Sequence, residues 1–263
     1  MSHGRVDEVS EQWNAAPKRI LTKKFIKHSK AKQPKGMRPV HNALMMPAGS
    51  CLCVKQALET GLFTEQTHVV AIEKLETEAD KIKENLTKLG ISHKVINKKL
   101  KDVTPDELQK AMRSPNRGLG RTAKKRKEEL KFDYVYLDVM NCPTLKLWNW
   151  LNQVLTQAIV WSTPVLTTLV AADRTDGISE ELYLAHRKEG KVACGIDEYK
   201  FSKNADQERL GCVMANFVLS ALEPVSPHRT IKLGRMYKNG KKKMPMVMMY
   251  TSFAQKNTQR YET

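Results

Sequence analysis

Long apolar runs are missing from this chain: no stretch approaches the roughly 18 uninterrupted apolar residues that a membrane-spanning helix needs. The basic N-terminal stretch lacks the apolar core of a signal peptide, so a secreted protein is not expected. Cysteine is sparse and odd in number, five residues at 51, 53, 142, 194 and 212, which argues against a disulfide framework. Together these absences point to a soluble protein of a reducing, cytoplasmic compartment. The only close pair, Cys51-x-Cys53, has neither a second pair nor neighbouring histidines to complete a zinc set, so buried structural thiols are expected there and no metal. Aromatics make up only 6% of residues, and Trp13, Tyr199, Tyr237 and Tyr261 are too dispersed for a platform on which single-stranded bases could stack. Backbone phosphate contact is the mode of polyanion recognition that remains, and it carries no base specificity.

Acid is missing from two whole segments, Glu11 to Glu59 and Glu223 to Glu262, within a chain of 45 Lys and Arg against 28 Asp and Glu and a formal charge of +17. Segregated positive charge costs self-repulsion and is usually met by a polyanion, so nucleic acid, RNA or DNA, is the expected partner. Four basic segments are candidates. They contain Lys23, Lys24 and Lys27 near the start; Arg121, Lys124, Lys125 and Arg126 in the stretch 113–131; Arg187, Lys188 and Lys191 within 173–205; and Lys241, Lys242 and Lys243 near the end. Any one run alone is equally well a solvated face; four together are harder to dismiss.

Residues 1–38 are polar and basic and read as an arm, although Ile20, Leu21, Phe25 and Ile26 have the spacing of a short amphipathic helix able to dock on the body or on a partner. From Val40 the pattern changes. Short apolar runs of strand length at about 40–46, 67–73, 93–97, 132–139 and 164–171 alternate with segments whose apolar residues recur every three or four positions. That alternation predicts a doubly wound α/β domain over 39–255, with insertions at about 113–131 and 173–205 and a tail at 256–263. Gly61 and Gly90 close two helices, and Thr104-Pro-Asp-Glu107 predicts a capping box at the start of another. Two final strand-like segments, 230–237 and 246–253, flank Asn239-Gly240 and predict an antiparallel hairpin.

Five βα units followed by a hairpin resemble the class I S-adenosylmethionine-dependent methyltransferase fold, a mostly parallel seven-stranded sheet whose last strand is antiparallel beside the fifth. Three positions carry the resemblance. Met45-Met46-Pro47-Ala48-Gly49-Ser50 stands where that family has its cofactor loop, with one glycine instead of two or three. Thr67 to Lys74 ends a buried strand on Glu73, where the family holds the ribose of the cofactor, and a helix-start acid is an equal reading. Phe132 to Asp138 delivers Asp138 to the edge where open α/β sheets place ligands. The resemblance implies S-adenosylmethionine as cofactor, with Pro47, Ala48, Gly49, Ser50, Glu73 and Asn97 around it, and Asp138 and Asn141 as catalytic residues. Asp138-Val-Met-Asn141 is not the Asp-Pro-Pro-Tyr of enzymes that methylate exocyclic amines. Cys142-Pro143 inverts the Pro-Cys of cytosine-C5 enzymes. The Lys-Asp-Lys-Glu set of ribose 2′-O enzymes is incomplete, since the closing hairpin holds no Glu. The implied function is a nucleic-acid methyltransferase, and the alternative is a non-catalytic subunit that keeps the fold and binds nucleic acid within a larger complex.

Overall fold

The computed structural model describes residues 16–31, 40–112, 130–139, 144–170, 205–225, 229–239 and 244–253. Apolar runs without a polar alternate are buried on both faces, as a parallel sheet between two helix layers requires. Five such strands are β1 (Asn42–Met45), β2 (His68–Ile72), β3 (Ser92–Ile96), β4 (Tyr134–Asp138) and β5 (Val165–Val170). Every residue of β1, β2, β4 and β5 is buried, while β3, at the sheet edge, is partly exposed. The longer β6 (Arg229–Asn239) and β7 (Met244–Phe253) pair antiparallel with each other, forming the expected hairpin. The sheet order is β3-β2-β1-β4-β5-β7-β6; β1 to β5 run parallel and β7 lies antiparallel to β5.

The helices are α1 (Ala16–Ala31), α2 (Leu52–Glu59), α3 (Glu76–Lys88), α4 (Pro105–Ala111), α5 (Leu145–Trp150), α6 (Thr156–Ala158) and α7 (Ala205–Leu222), with a π-helical turn, Leu151–Leu155, between α5 and α6. Leu44, Val70, Val135 and Leu169 face a core completed by α4 to α7, whereas Ala43, Met45, Val69 and Leu166 face one completed by α1 to α3. The local signals act as chemistry dictates. Gly61 and Gly90 both adopt φ 67, the left-handed conformation that ends a helix at little cost only for glycine. The Thr104 side chain accepts from the Glu107 amide and Glu107 returns the bond to the Thr104 amide, completing the capping box.

Over 16–31 the stretch is not a free arm but the amphipathic helix that its apolar spacing allowed, docked on the body where it supplies the second core, with Phe25 and Ile26 buried, Leu21 packed against them and Ile20 exposed. Lys18, Thr22, Phe25, Ile26 and Ser29, at i, i+4, i+7, i+8 and i+11, form one buried face that packs against α2 and β6. Arg19, Ile20, Lys23, Lys24, Lys27 and Lys30 are exposed on the other side. The docking face mixes Lys, Thr and Ser with two large apolar side chains, so its composition is that of a surface helix.

Arg229 fastens the hairpin to the sheet. It is 5% exposed, and its guanidinium donates to the carbonyls of Thr163 (2.7 Å) and Trp161 (3.2 Å) and to Thr251 Oγ1 (3.3 Å). None of these acceptors is a carboxylate, and burial of the charge pulls its pKa down to about 10. Replacing it strands two buried acceptors, the Thr163 carbonyl and Thr251 Oγ1, together with the part-buried Trp161 carbonyl. Arg229→Met is expected to lower unfolding free energy by about 2–4 kcal/mol in urea titration. A loss within about 0.5 kcal/mol would show that water replaces the guanidinium there.

Candidate functional site at the carboxyl edge of the sheet

Parallel strands deliver their C-termini to one edge, and the ends of β1, β2 and β4 lie side by side there. The Met46 amide still bonds the Tyr136 carbonyl (2.9 Å), so β1 and β4 remain paired up to the point where the loop Pro47–Cys51 departs. A Cys51 amide bond to the Ala48 carbonyl (2.8 Å) tightens this loop, and Cys51 enters α2 with φ 49. Cys51 and Cys53 are both buried, and burial pushes the Cys51 thiol up to about 12, so it is an inert thiol at neutral pH.

The loop backbone is held from α3. The Gly49 amide donates to Glu78 Oε2 (3.2 Å), the Gly49 carbonyl accepts from Asn85 Nδ2 (2.7 Å), and Glu78 Oε1 pairs with Lys81 Nζ (2.7 Å). A Cβ on residue 49 would lie 2.4 Å from Glu78 Oε2. The closest neighbour that a glycine is needed to admit here is thus a carboxylate of the protein itself.

Glu73 directly follows β2, with its amide on the Ile96 carbonyl and its Oε1 accepting from the Leu75 amide (2.9 Å). Burial raises its pKa against the pull of the Leu75 and Lys74 amides. Asn97, exposed at the end of β3, donates from Nδ2 to the Glu73 carbonyl (2.9 Å) and fixes the β2 and β3 termini together. Asp138 ends β4 and is 2% exposed. Its Oδ2 forms an ion pair with Nζ of Lys18, itself 3% exposed. Burial still holds the Asp138 carboxyl above its usual range, while Lys18 and Tyr136 pull it down. Glu73 and Asp138 therefore share one edge, on either side of β1.

A cavity of about 30 Å³ lies between α1 and this edge, lined by Lys18, Thr22, Ala48, Ser50, Gln56 and Asp138 among others. Such a volume holds one or two waters; pockets for drug-sized ligands run to roughly 300–1,000 Å³. Of the residues singled out in the sequence, Ala48, Ser50 and Asp138 line this cavity, Pro47 and Gly49 belong to the same loop, and Glu73 and Asn97 stand at the neighbouring strand ends. Lys23, Lys24 and Lys27 lie exposed on the outer side of α1. Asn141, Arg121, Lys124, Lys125, Arg126, Lys241, Lys242 and Lys243 lie outside the described residues, as do the basic positions of 173–205. Sequence reading missed Lys18, Gln56 and Glu78. Lys18 had a usable signal, since it stands one helical turn before Thr22 and two before Phe25 and Ile26.

A seven-stranded sheet of order 3-2-1-4-5-7-6, with only the seventh strand reversed between the fifth and sixth, is the class I methyltransferase fold. No family model matches the sequence, and no curated protein does. Among solved structures, the chain is similar to an O-methyltransferase from Bacillus cereus in complex with SAH, 12% identical over 90% of this chain and 81% of that one, with TM-score 0.47. It is also similar to the O-methyltransferase TomG from Streptomyces achromogenes in complex with SAM, 12% identical over 91% and 81%, TM-score 0.48. A third likeness is to TrmN from Thermus thermophilus, 11% identical over 90% of this chain and 49% of that one, TM-score 0.45. The strand order of the sheet, rather than these distant likenesses, defines the fold. No helix among the described residues is long and apolar enough to cross a membrane.

The Gly49 geometry generates a stability test. In Gly49→Ala the new methyl group displaces Glu78 from the loop amide and from Lys81, and the loss is expected at about 1–3 kcal/mol. Adding Glu78→Ala removes the clash, so the double variant should lose less than the sum of the two single losses in a double-mutant cycle. Strict additivity would mean that the loop moves away from α3 instead.

Proposed function

We propose that this protein binds nucleic acid through its basic surface and takes S-adenosylmethionine at the carboxyl edge of the sheet, as a methyltransferase acting on RNA or DNA. The observation that carries the reading is a juxtaposition. The exposed cations of α1 stand on the outside of the same helix whose inside closes the cavity between the Pro47–Cys51 loop and Asp138. A phosphate backbone held there passes the strand ends where a cofactor would lie. Glu73 fits two ribose hydroxyls, since a half-buried carboxylate accepts charge-assisted hydrogen bonds. Asp138 is the acid that lines the cavity where the reactive end of the cofactor would lie. The methionine end of the cofactor does not fit the cavity as it stands, because about 30 Å³ is an order of magnitude too small.

One observation favours the second reading, a non-catalytic subunit that binds nucleic acid. The only glycine of the loop spends its amide on Glu78 and the Cys51 amide is on the Ala48 carbonyl, so two of the donors that a cofactor carboxylate would seek are already taken. Calorimetric titration with S-adenosylmethionine separates the two readings: micromolar binding supports the enzyme, and silence at millimolar ligand supports the subunit.

Glu73 gives that titration a pH signature. The ribose needs the ionised carboxylate, and burial holds its pKa above the ordinary glutamate value. Affinity should be full above that raised pKa and fall as the pH drops through it, at a higher pH than an exposed glutamate would give. Glu73→Gln should bind about tenfold more weakly at neutral pH, a loss of roughly 1.4 kcal/mol, and lose the pH dependence. Unaltered affinity in that variant would put the ribose elsewhere.

Nucleic-acid affinity should decline steeply with salt, because each neutralised phosphate releases condensed counterion. Lys23→Ala/Lys24→Ala/Lys27→Ala should flatten the plot of log affinity against log salt by about 2–3 units, similarly for unrelated sequences, with little loss of stability. A folded triple variant with the wild-type slope would move the contact surface off α1.

A further inference from the structure

The two sides of α1 are chemically opposed. Inside, Lys18 and Thr22 line the cavity, Lys18 is ion-paired with Asp138, and Phe25 and Ile26 are buried against α2 and the sheet. Outside, Lys23, Lys24, Lys27 and Lys30 are exposed, Arg19 is exposed at the rim of the cavity that it also lines, and no acid occurs in the helix. While the helix is seated, Lys18 is 3% exposed and out of reach of any phosphate, and the cavity of about 30 Å³ admits only water. Once the helix is lifted, Lys18 joins Arg19 and the four outer lysines, and the space it filled opens onto the loop, Tyr136 and Asp138. A polyanion therefore gains a phosphate contact in the lifted state, and a cofactor-sized ligand gains its room there. Two ligands that favour the same conformation strengthen each other's binding by the same factor.

We propose that α1 is a lid over the carboxyl-edge pocket, latched by Lys18 on Asp138 and lifted by a polyanion, so that nucleic acid and a cofactor-sized ligand bind cooperatively. The proposal rests on the reading of this edge as an S-adenosylmethionine site. It accounts for the misfit between the fold's usual ligand and so small a cavity, and it gives a buried lysine a task that packing alone does not.

The test uses the full chain. S-adenosylmethionine is titrated into wild type and into Lys18→Met, each with and without a mixed-sequence RNA oligonucleotide, and hydrogen exchange of the amides of 16–31 is followed in the same samples. Wild type should bind about tenfold more tightly when RNA is present. Lys18→Met, which leaves the apolar stem but no charge for Asp138, should bind that tightly without RNA and respond little to it. Amide exchange in α1 should accelerate with either ligand. Phe25→Ala loosens the seat away from the pocket and should shift affinity in the same direction, which covers the case of a Lys18 variant that folds poorly. Equal affinity in wild type and both variants, or tight binding with α1 still protected, overturns the lid and leaves the cofactor reading intact. No binding under any of these conditions overturns both.

Discussion

The Lys18–Asp138 pair is the contact on which the candidate site turns. Two opposite charges, each nearly fully buried, join the first described helix to the end of the central strand β4. Desolvation of such a pair offsets much of its attraction, so it adds little net stability, yet removing one partner leaves an uncompensated charge in the interior. The pair thus acts less as glue than as a constraint. Given Asp138 at the edge, the cation must come to it, and with the cation come the whole of α1, the closure of the cavity and the outward display of the remaining lysines.

The loop between β1 and α2 obeys a second constraint of the same kind. Its backbone is satisfied by Glu78 and Asn85 of α3, so loop and helix form one unit. In open α/β sheets this edge is where ligands are placed. Here a carboxylate of the chain already occupies a donor. Both strand-end acids carry raised pKa values for the same cause, burial, and both stand where a charged ligand would have to displace or share an existing partner.

Much of this architecture was legible in the sequence because its signals are local. The runs of β1, β2, β4 and β5 are apolar on both faces, Gly61 and Gly90 stop helices by conformational necessity, and Thr104 with Glu107 caps the next. The placement of Glu73 and Asp138 on one edge followed from strand direction alone. What was not legible depends on pairing across distance. Lys18 looks like one more member of a basic stretch until Asp138, far along the chain, is brought beneath it, and Glu78 looks like a first-turn helix acid until the Gly49 amide meets it. A buried polar side chain carries no periodic apolar signature, so its partner has to be seen.

The hairpin has a consequence for how the molecule is made. Its strand β7 slots between β5 and β6, and α1 packs on β6, so the earliest described element closes against one of the latest. Contacts of such sequence separation form slowly, because a large chain loop must be closed before they are rewarded. On a ribosome, where early segments fold first, β1 to β5 can assemble while α1 still lacks half its seat. Until β6 emerges, α1 has only α2 and the end of β4 to hold it, so its seat over the carboxyl edge is finished only when the sheet is complete.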